Sequence, residues 1–343
     1  MQHNQRFALS AFAALALLCT AALDAAAQSR GPGESRMQEA VRAVVGVAAQ
    51  VPEGARSART LGTERQGSGA VIGSDGLVLT VGYLILEASR VVVTAPSGDE
   101  VEAKVVAFDY DTGFGLLRAR FNERIRAIEF ASAKELKDGD AVYVASRIAD
   151  LDVTPATVIG RREFAGYWEY LLSEAIFTTP QYPAFGGAPL LTPDGRLLGI
   201  GSLAVRNAAG ENIFKPGNMF IPIDHLPPVL GDLLAHGRRS GKERPWLGIW
   251  SSEGENGEVV VGGVQPDSPA SRAGLKRGDV IVKVEGREVS GQADLYRKLW
   301  AAGEGAPEIA LTLKRDGAMV EQKVQAVGRS AFFKFAEEEK EKK

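Results

Sequence analysis

Residues Gly67–Thr80 read GSGAVIGSDGLVLT. Two apolar runs, Gly69-Ala70-Val71-Ile72 and Leu77-Val78-Leu79-Thr80, flank Ser74-Asp75-Gly76. An Asp-Gly pair adopts the positive φ angles of a tight turn at little cost, so the stretch predicts a β-hairpin. The same pattern returns at Leu190-Leu191, Pro193-Asp194-Gly195 and Leu197–Ile200, and again around Arg315-Asp316-Gly317. Between the first two hairpins, Val91–Thr94, Val101–Ala107, Gly115–Ala119, Ala141–Ala145 and Thr157–Ile159 read as further short strands. Many short strands separated by turns predict a sandwich or barrel.

Outward from this β-rich region the character changes. Asp224–His236 (DHLPPVLGDLLAH) predicts a helix with an aspartate cap, early prolines and Gly237 behind it. Arg238–Arg244 (RRSGKER) is a charged linker, and a second set of strands and helices follows from Pro245. The C-terminal AEEEKEKK of Ala336–Lys343 reads as a solvated tail. Toward the N-terminus, Met37–Val44 allows one helical turn, and Gln28–Arg36 reads as a flexible polar leader. Phe7–Leu23 is nearly all apolar and is followed by Ala25-Ala26-Ala27, which predicts a secretory signal peptide cut near Ala27. The single cysteine, Cys19, falls inside that segment, and Leu18 before it is not the small residue a lipid-attachment site prefers. The mature chain would then hold no disulfide, thiolate metal site or cysteine nucleophile. A net charge of −3 gives no electrostatic footprint for nucleic acid. There is no H-E-x-x-H, Cys/His cluster or phosphate loop, so no metal or cofactor is expected.

Five stretches, in order, resemble the high-temperature-requirement (HtrA) family of serine proteases. They are GSGAVIGSDGLVLT at Gly67–Thr80, AKVVAFDYDTGFGLL at Ala103–Leu117, APLLTPDGRLLGI at Ala188–Ile200, FIPID at Phe220–Asp224 and PWLGI at Pro245–Ile249. The resemblance implies a mainly β chain, a trypsin-like double β-barrel followed by an α+β PDZ domain. The expected division is a signal peptide at 1–27, a leader at 28–37, the trypsin-like domain at 38–236, a linker at 237–244, the PDZ domain at 245–327 and a charged tail at 328–343.

The same resemblance locates a catalytic triad and finds it changed. The family's base follows the first hairpin, where Thr80-Val81-Gly82-Tyr83-Leu84 puts Tyr83 in place of histidine. The family's aspartate follows the threonine of the second stretch, and here Gly113 follows Thr112. The nucleophile lies in a Gly-Asn-Ser-Gly-Gly-Pro-Leu run, and Ala184–Leu190 (AFGGAPL) puts Gly186 at the serine. The mature chain's histidines, His225 and His236, both fall in the helix that closes the domain. Neither Ser173 nor Ser202 has the nucleophile's glycine context, and Asp109 and Asp111 are displaced from the aspartate position. In a subtilisin-type triad, losing serine or histidine alone lowers turnover by roughly 10⁶, about 8 kcal/mol. Tyr83 and Phe185 are expected either to fill the old cleft as core or to leave it an apolar groove.

In the second domain, Trp246-Leu247-Gly248-Ile249 resembles the loop of a PDZ domain that receives a peptide's C-terminal carboxylate on backbone N–H groups. Ile249–Ser251 would offer an edge to a peptide strand. SPASRAGLKRGDVIVKVEGREV at Ser268–Val289 resembles the PDZ core, with Ala273-Gly274-Leu275 as a short helix. Ala293–Trp300 (ADLYRKLW) predicts the helix walling the groove; Leu295 and Leu299 share a face that lines the groove or fills the core. Trp250 and Trp300 are anchors or core on the same grounds.

Three functions are open at this level. The first is an exported, periplasmic or secreted pseudoprotease, not an enzyme, that binds peptides or protein C-termini through its PDZ groove as an adaptor, scaffold or chaperone in protein quality control. The second is a serine-type endopeptidase working through unconventional residues. The third is a structural subunit of an active HtrA-like paralogue. Residues 28–50 contain no aromatic side chain, unlike the segment that joins trimeric relatives. No nucleic-acid partner and no membrane span after signal cleavage are expected.

Overall fold

A computed structural model of the chain describes residues 32–333 except 211, 212, 255, 304 and 306. The signal-peptide cut, Cys19 and residues 334–343 lie outside the described residues. The tail expected from residue 328 is corrected at its start, where Val327–Gly328 is a strand and Arg329–Phe332 a helix whose Phe332 is buried. The chain opens with helix α1 (Pro32–Arg42) and passes straight into strand β1 (Val44–Gln50). This corrects two expectations. The leader is helical from Pro32, and the turn expected at Met37–Val44 is the end of that longer helix. Val44 already belongs to a strand because β1 is flanked on both edges, by β2 (Glu64–Val71) and β4 (Arg90–Thr94).

With β3 (Leu77–Val81), β5 (Glu100–Phe108) and β6 (Phe114–Ala119), these strands close a barrel in the order β1-β2-β3-β6-β5-β4. A short helix, α2 (Ala58–Leu61), lies between β1 and β2. The opening hairpin forms as read, with Gly76 at φ +78° in its turn and Ala70 opposite Leu79. β3 is buried along its whole length, as an apolar strand inside a closed barrel must be.

The second barrel runs β10-β11-β12-β9-β8-β7, from β7 (Ala141–Arg147), β8 (Leu151–Gly166), β9 (Tyr170–Thr179), β10 (Pro189–Leu191), β11 (Leu197–Val205) and β12 (Gly217–Pro222). The strand expected at Thr157–Ile159 is the middle of the 16-residue β8. Its register shifts against β9 between Val158 and Gly160 and between Arg162 and Phe164, so the β8–β9 hairpin bends as it leaves the barrel. Helix α3 (Pro227–His236) closes this part of the chain, but not with an aspartate cap. Its N-cap is Leu226, without a side-chain bond. Asp224 lies in a preceding 3₁₀ turn and accepts from Ser132 Oγ (2.7 Å) and the Ala133 N–H (2.8 Å), organising a different loop.

The last domain holds β13 (Pro245–Trp246), β14 (Ile249–Glu253), β15 (Val259–Val264), α4 (Pro269–Arg272), β16 (Val280–Val284), β17 (Arg287–Glu288), α5 (Gln292–Ala301), β18 (Glu308–Arg315), β19 (Ala318–Gln325), β20 (Val327–Gly328) and α6 (Arg329–Phe332). The main sheet order is β14-β15-β16-β18-β19, with β17 on β16, while β13 pairs with β20. The short helix expected at Ala273-Gly274-Leu275 lies earlier, at α4. Ser268 Oγ caps it by accepting the Ser271 N–H, and Ala273 and Gly274 (φ +79°) end it.

Asp279, 1% exposed, anchors this domain by accepting from Arg315 Nε (2.6 Å), Arg315 Nη2 (2.7 Å) and the Lys276 N–H (2.8 Å). The Arg315 hydrogen bonds hold its carboxyl below the usual range. This stabilisation is present above the ordinary carboxylate value of about 3.9 and is lost as pH falls through the lowered folded value. Asp279→Asn should therefore lower the urea midpoint near neutral pH. Its difference from the parent should narrow below about pH 4, as followed by tryptophan fluorescence.

Candidate functional site

Tyr83, Gly113 and Gly186, the positions at which the sequence leads one to expect a triad, lie near the junction of the two barrels. Tyr83 sits in the 3₁₀ turn Gly82–Leu84 behind β3, and Gly186 in the loop before β10. Ser68 of β2 donates its N–H to the Gly186 carbonyl (2.9 Å), and the Arg147 N–H donates to Ser68 Oγ (2.9 Å), locking the two barrels together. A Cβ placed on Gly186 would lie 2.9 Å from the Tyr83 hydroxyl. Gly186 does not have a positive φ, so its backbone would accept a side chain; the phenol is what fills the space. Gly113 (φ +85°) is tied to the same turn, its carbonyl accepting the Gly82 N–H at 2.7 Å.

The chemistry left at this place is limited. The Tyr83 hydroxyl donates to the Ser202 carbonyl (3.1 Å). Burial raises its pKa well above the ordinary phenol value, so at neutral pH it is a neutral donor and not a base. Phe185 is partly buried, and its carbonyl accepts the Ala188 N–H (2.9 Å). Asp109 is 3% exposed and committed elsewhere. It takes a bidentate pair from Arg239 (2.7 Å to each oxygen) and accepts from Thr112 Oγ1 (2.5 Å). Asp111 faces Arg244 (3.3 Å) and Arg239 (3.8 Å), and burial raises its pKa. His225 pairs with the Ser173 carbonyl (3.0 Å), and His236 ends α3.

The second place is the loop Trp246-Leu247-Gly248-Ile249. Its N–H groups converge on one anion, and that anion belongs to the chain itself. Glu169 Oε2 accepts from the Leu247 N–H (3.0 Å), and Oε1 accepts from the Gly248 (2.7 Å) and Ile249 (2.9 Å) N–H groups. Glu169 lies in the β8–β9 turn, is 2% exposed and has φ +57°. Two residues earlier, the Tyr167 carbonyl accepts the Ser251 N–H on the outer edge of β14 (2.8 Å). Tyr296 Oη of α5 donates to the Gly166 carbonyl (2.6 Å) and meets Ser251 Oγ (2.8 Å), with burial pushing its pKa up to about 12. Arg329 of α6 donates to the Trp168 and Glu169 carbonyls, both at 2.8 Å. Burial raises the Glu169 pKa, opposed by the Arg329 charge and the three N–H donors.

The N–H groups of this loop are occupied by Glu169, a partner that the sequence did not reveal. Leu247, Ile249, Leu295 and Leu299 are all buried in the core of the last domain, and Ala165 and Leu171 of the hairpin pack against that core. Trp246 packs on Phe332 (4.6 Å between ring centres), while Trp300 stacks on Tyr296 and carries the Arg244 guanidinium 4.2 Å from its ring centre. Trp250 is partly buried on β14. Glu169, Tyr296 and Arg329 were not singled out by any motif. The aromatic run Tyr167-Trp168 with Tyr170 was the available signal, because exposed turns seldom carry three large rings.

Residues 67–200 match the family described as "Trypsin-like peptidase domain", and residues 245–326 match "PDZ domain". The chain is 29% identical over 231 residues to "Serine endoprotease DegS" of Haemophilus influenzae, a match covering 65% of each protein. It is 26% identical over 298 residues to "Probable periplasmic serine endoprotease DegP-like" of Pseudomonas fulva, covering 81% of this chain and 60% of that protein. The chain thus spans less than two thirds of the length of these relatives. Among solved structures, "HtrA-type protease AlgW with tripeptide" is similar at TM-score 0.52 and 21% identity, covering 86% of this chain and 96% of that one. "Crystal structure of the serine endoprotease from Yersinia pestis" is similar at TM-score 0.53 and 20% identity, covering 87% and 98%. The fold is a trypsin-like double barrel with a PDZ domain, and the two domain matches with the DegS and DegP-like relatives support the HtrA family. Among the described residues no helix is long and apolar enough to cross a membrane.

Proposed function

We propose that this chain is a periplasmic HtrA-like protein that binds peptides or unfolded chains without cleaving them. One observation carries the reading: the Tyr83 hydroxyl lies 2.9 Å from where a Cβ on residue 186 would be, so it crowds any side chain there. A glycine opposite a buried phenol provides neither nucleophile nor base, and Asp109 is held by Arg239. Peptide binding is supported by the PDZ match, by the convergent N–H groups of 247–249 and by similarity to a protease solved with a tripeptide. Residues 1–27 fit export to the periplasm, the compartment in the names of several relatives.

The relatives' names favour a second reading, a serine-type endopeptidase acting through other groups. The Ser68 and Thr80 hydroxyls at this junction are engaged by Arg147 and the Ser68 carbonyl, which leaves Tyr83 and Ser202, whose carbonyl Tyr83 bonds, as its first candidates. Hydrolysis of labelled casein separates the readings. The purified mature chain should turn over about 10⁶-fold more slowly than an intact triad enzyme. Cleavage at a rate typical of an intact triad, abolished by Tyr83→Phe or Ser202→Ala, would establish the endopeptidase and remove the first reading.

A further inference from the structure

We propose that Gly166–Glu169 is a resident ligand of the PDZ groove: the Glu169 side chain takes the seat of a peptide's C-terminal carboxylate, and a peptide with a free C-terminus binds by displacing it. This rests on the peptide-binding reading and specifies how that site is regulated.

The contact uses the groups that would hold a peptide. Three successive N–H groups, at Leu247, Gly248 and Ile249, converge on one carboxylate at 2.7–3.0 Å. Such convergence is an anion seat, and carboxylate capture by backbone N–H groups is a recurring mode of peptide recognition. The Tyr167 carbonyl, two residues before Glu169, accepts from Ser251 on the open edge of β14. The hairpin turn thus engages the β14 edge on which a bound peptide strand would pair. Tyr296 of the groove helix reaches across to the Gly166 carbonyl.

The hairpin is also shaped and held for this role. Glu169 is a non-glycine residue in the left-handed region, a conformation that persists when surrounding contacts over-determine it. Arg329 supplies those contacts by gripping the carbonyls of Trp168 and Glu169. An occupant on the same chain competes at a high effective concentration, so the apparent affinity for an outside peptide falls by the fraction of molecules whose groove is open.

Hydrogen exchange at the amides of 247–251 in the mature full-length chain tests occupancy. Exchange in Glu169→Ala should be at least about tenfold faster than in the parent. Glu169→Gln should fall between, because its neutral amide oxygen still accepts; it also serves as the variant closest to the parent fold. Protection unchanged in both variants would overturn the proposal. Binding of a fluorescent pool of short peptides with free C-termini, beside the same pool amidated, tests displacement. The free-carboxylate pool should bind Glu169→Ala about tenfold or more tightly than the parent, and the amidated pool should bind neither. Equal affinity for parent and variant would overturn the resident ligand while leaving peptide binding intact. Faster exchange with no peptide bound by either protein would instead remove the peptide-binding reading and leave the internal contact standing.

Discussion

A Gly187→Ala variant should lose about 4 kcal/mol of stability, a large part of the roughly 5–15 kcal/mol that holds a domain folded. Gly187 has φ +72°, and a Cβ there would lie 2.0 Å from the Ser68 carbonyl oxygen and 2.5 Å from Thr80 Oγ1. Neither atom can retreat easily. Thr80 Oγ1 donates to the Ser68 carbonyl (2.6 Å), the Ser68 N–H is bonded to Gly186, and the Gly187 N–H is bonded to the Gly201 carbonyl (2.9 Å). Gly98→Ala provides the reference. Gly98 has φ +93° but nothing within 4 Å of its Cβ position, so its replacement reports the backbone strain alone, about 1 kcal/mol. Urea unfolding of both variants measures the difference, and equal losses would show that the steric contact at Gly187 is relieved at no cost.

The two adjacent glycines answer to different neighbours. Gly187 is required by the barrel junction whether or not chemistry occurs beside it. Gly186 answers only to Tyr83, and the two residues form a large–small pair that conserves volume. Such pairs are tolerated in a packed interior far better than a lone enlargement. A glycine at 186 and a phenol at 83 are therefore one packing solution, compatible with the backbone hydrogen bonds of Gly186, Gly187 and Ala188.

Legibility in the sequence followed the range of the interactions. The Asp-Gly hairpins were readable because the turn chemistry lies within four residues, and Gly76, Gly195 and Gly317 all take the positive φ the pattern requires. Tyr83, Gly113 and Gly186 could be singled out because each sits in a local sequence frame of a few residues, Gly82–Leu84, Thr112–Gly113 and Ala184–Leu190. Asp224 misled because an aspartate before a helix has the same local appearance whether it caps that helix or reaches Ser132, 92 residues away. Glu169 was invisible for the same reason in stronger form. Its partners lie 78–80 residues away, and glutamate is not a residue that local propensity places at a left-handed turn position. The part of the site that fills the groove is thus made by tertiary contact alone.

Replacing Arg329 by methionine should cost about 3 kcal/mol and should fall mainly on the contact between the hairpin and the PDZ domain. The guanidinium satisfies the Trp168 and Glu169 carbonyls and is the opposing charge that most offsets the burial of the Glu169 carboxylate. Methionine preserves much of the stem volume but leaves two carbonyls without this donor and a buried carboxylate with only its N–H partners. Removing one member of a buried charge set costs far more than removing both, because the remaining charge stays desolvated. A cycle with Glu169→Gln makes that asymmetry measurable: the loss from Arg329→Met should shrink by about 1–2 kcal/mol when residue 169 is already neutral. Urea unfolding gives the energies, and exchange at 247–251 shows where they act. Additive losses with unchanged protection there would mean that Arg329 supports only the C-terminal segment, where Phe332 packs on Trp246 and receives the Arg56 guanidinium. A coupled loss with faster exchange would place the energy in the clamp on the hairpin, which is what an outside peptide must overcome to enter the groove.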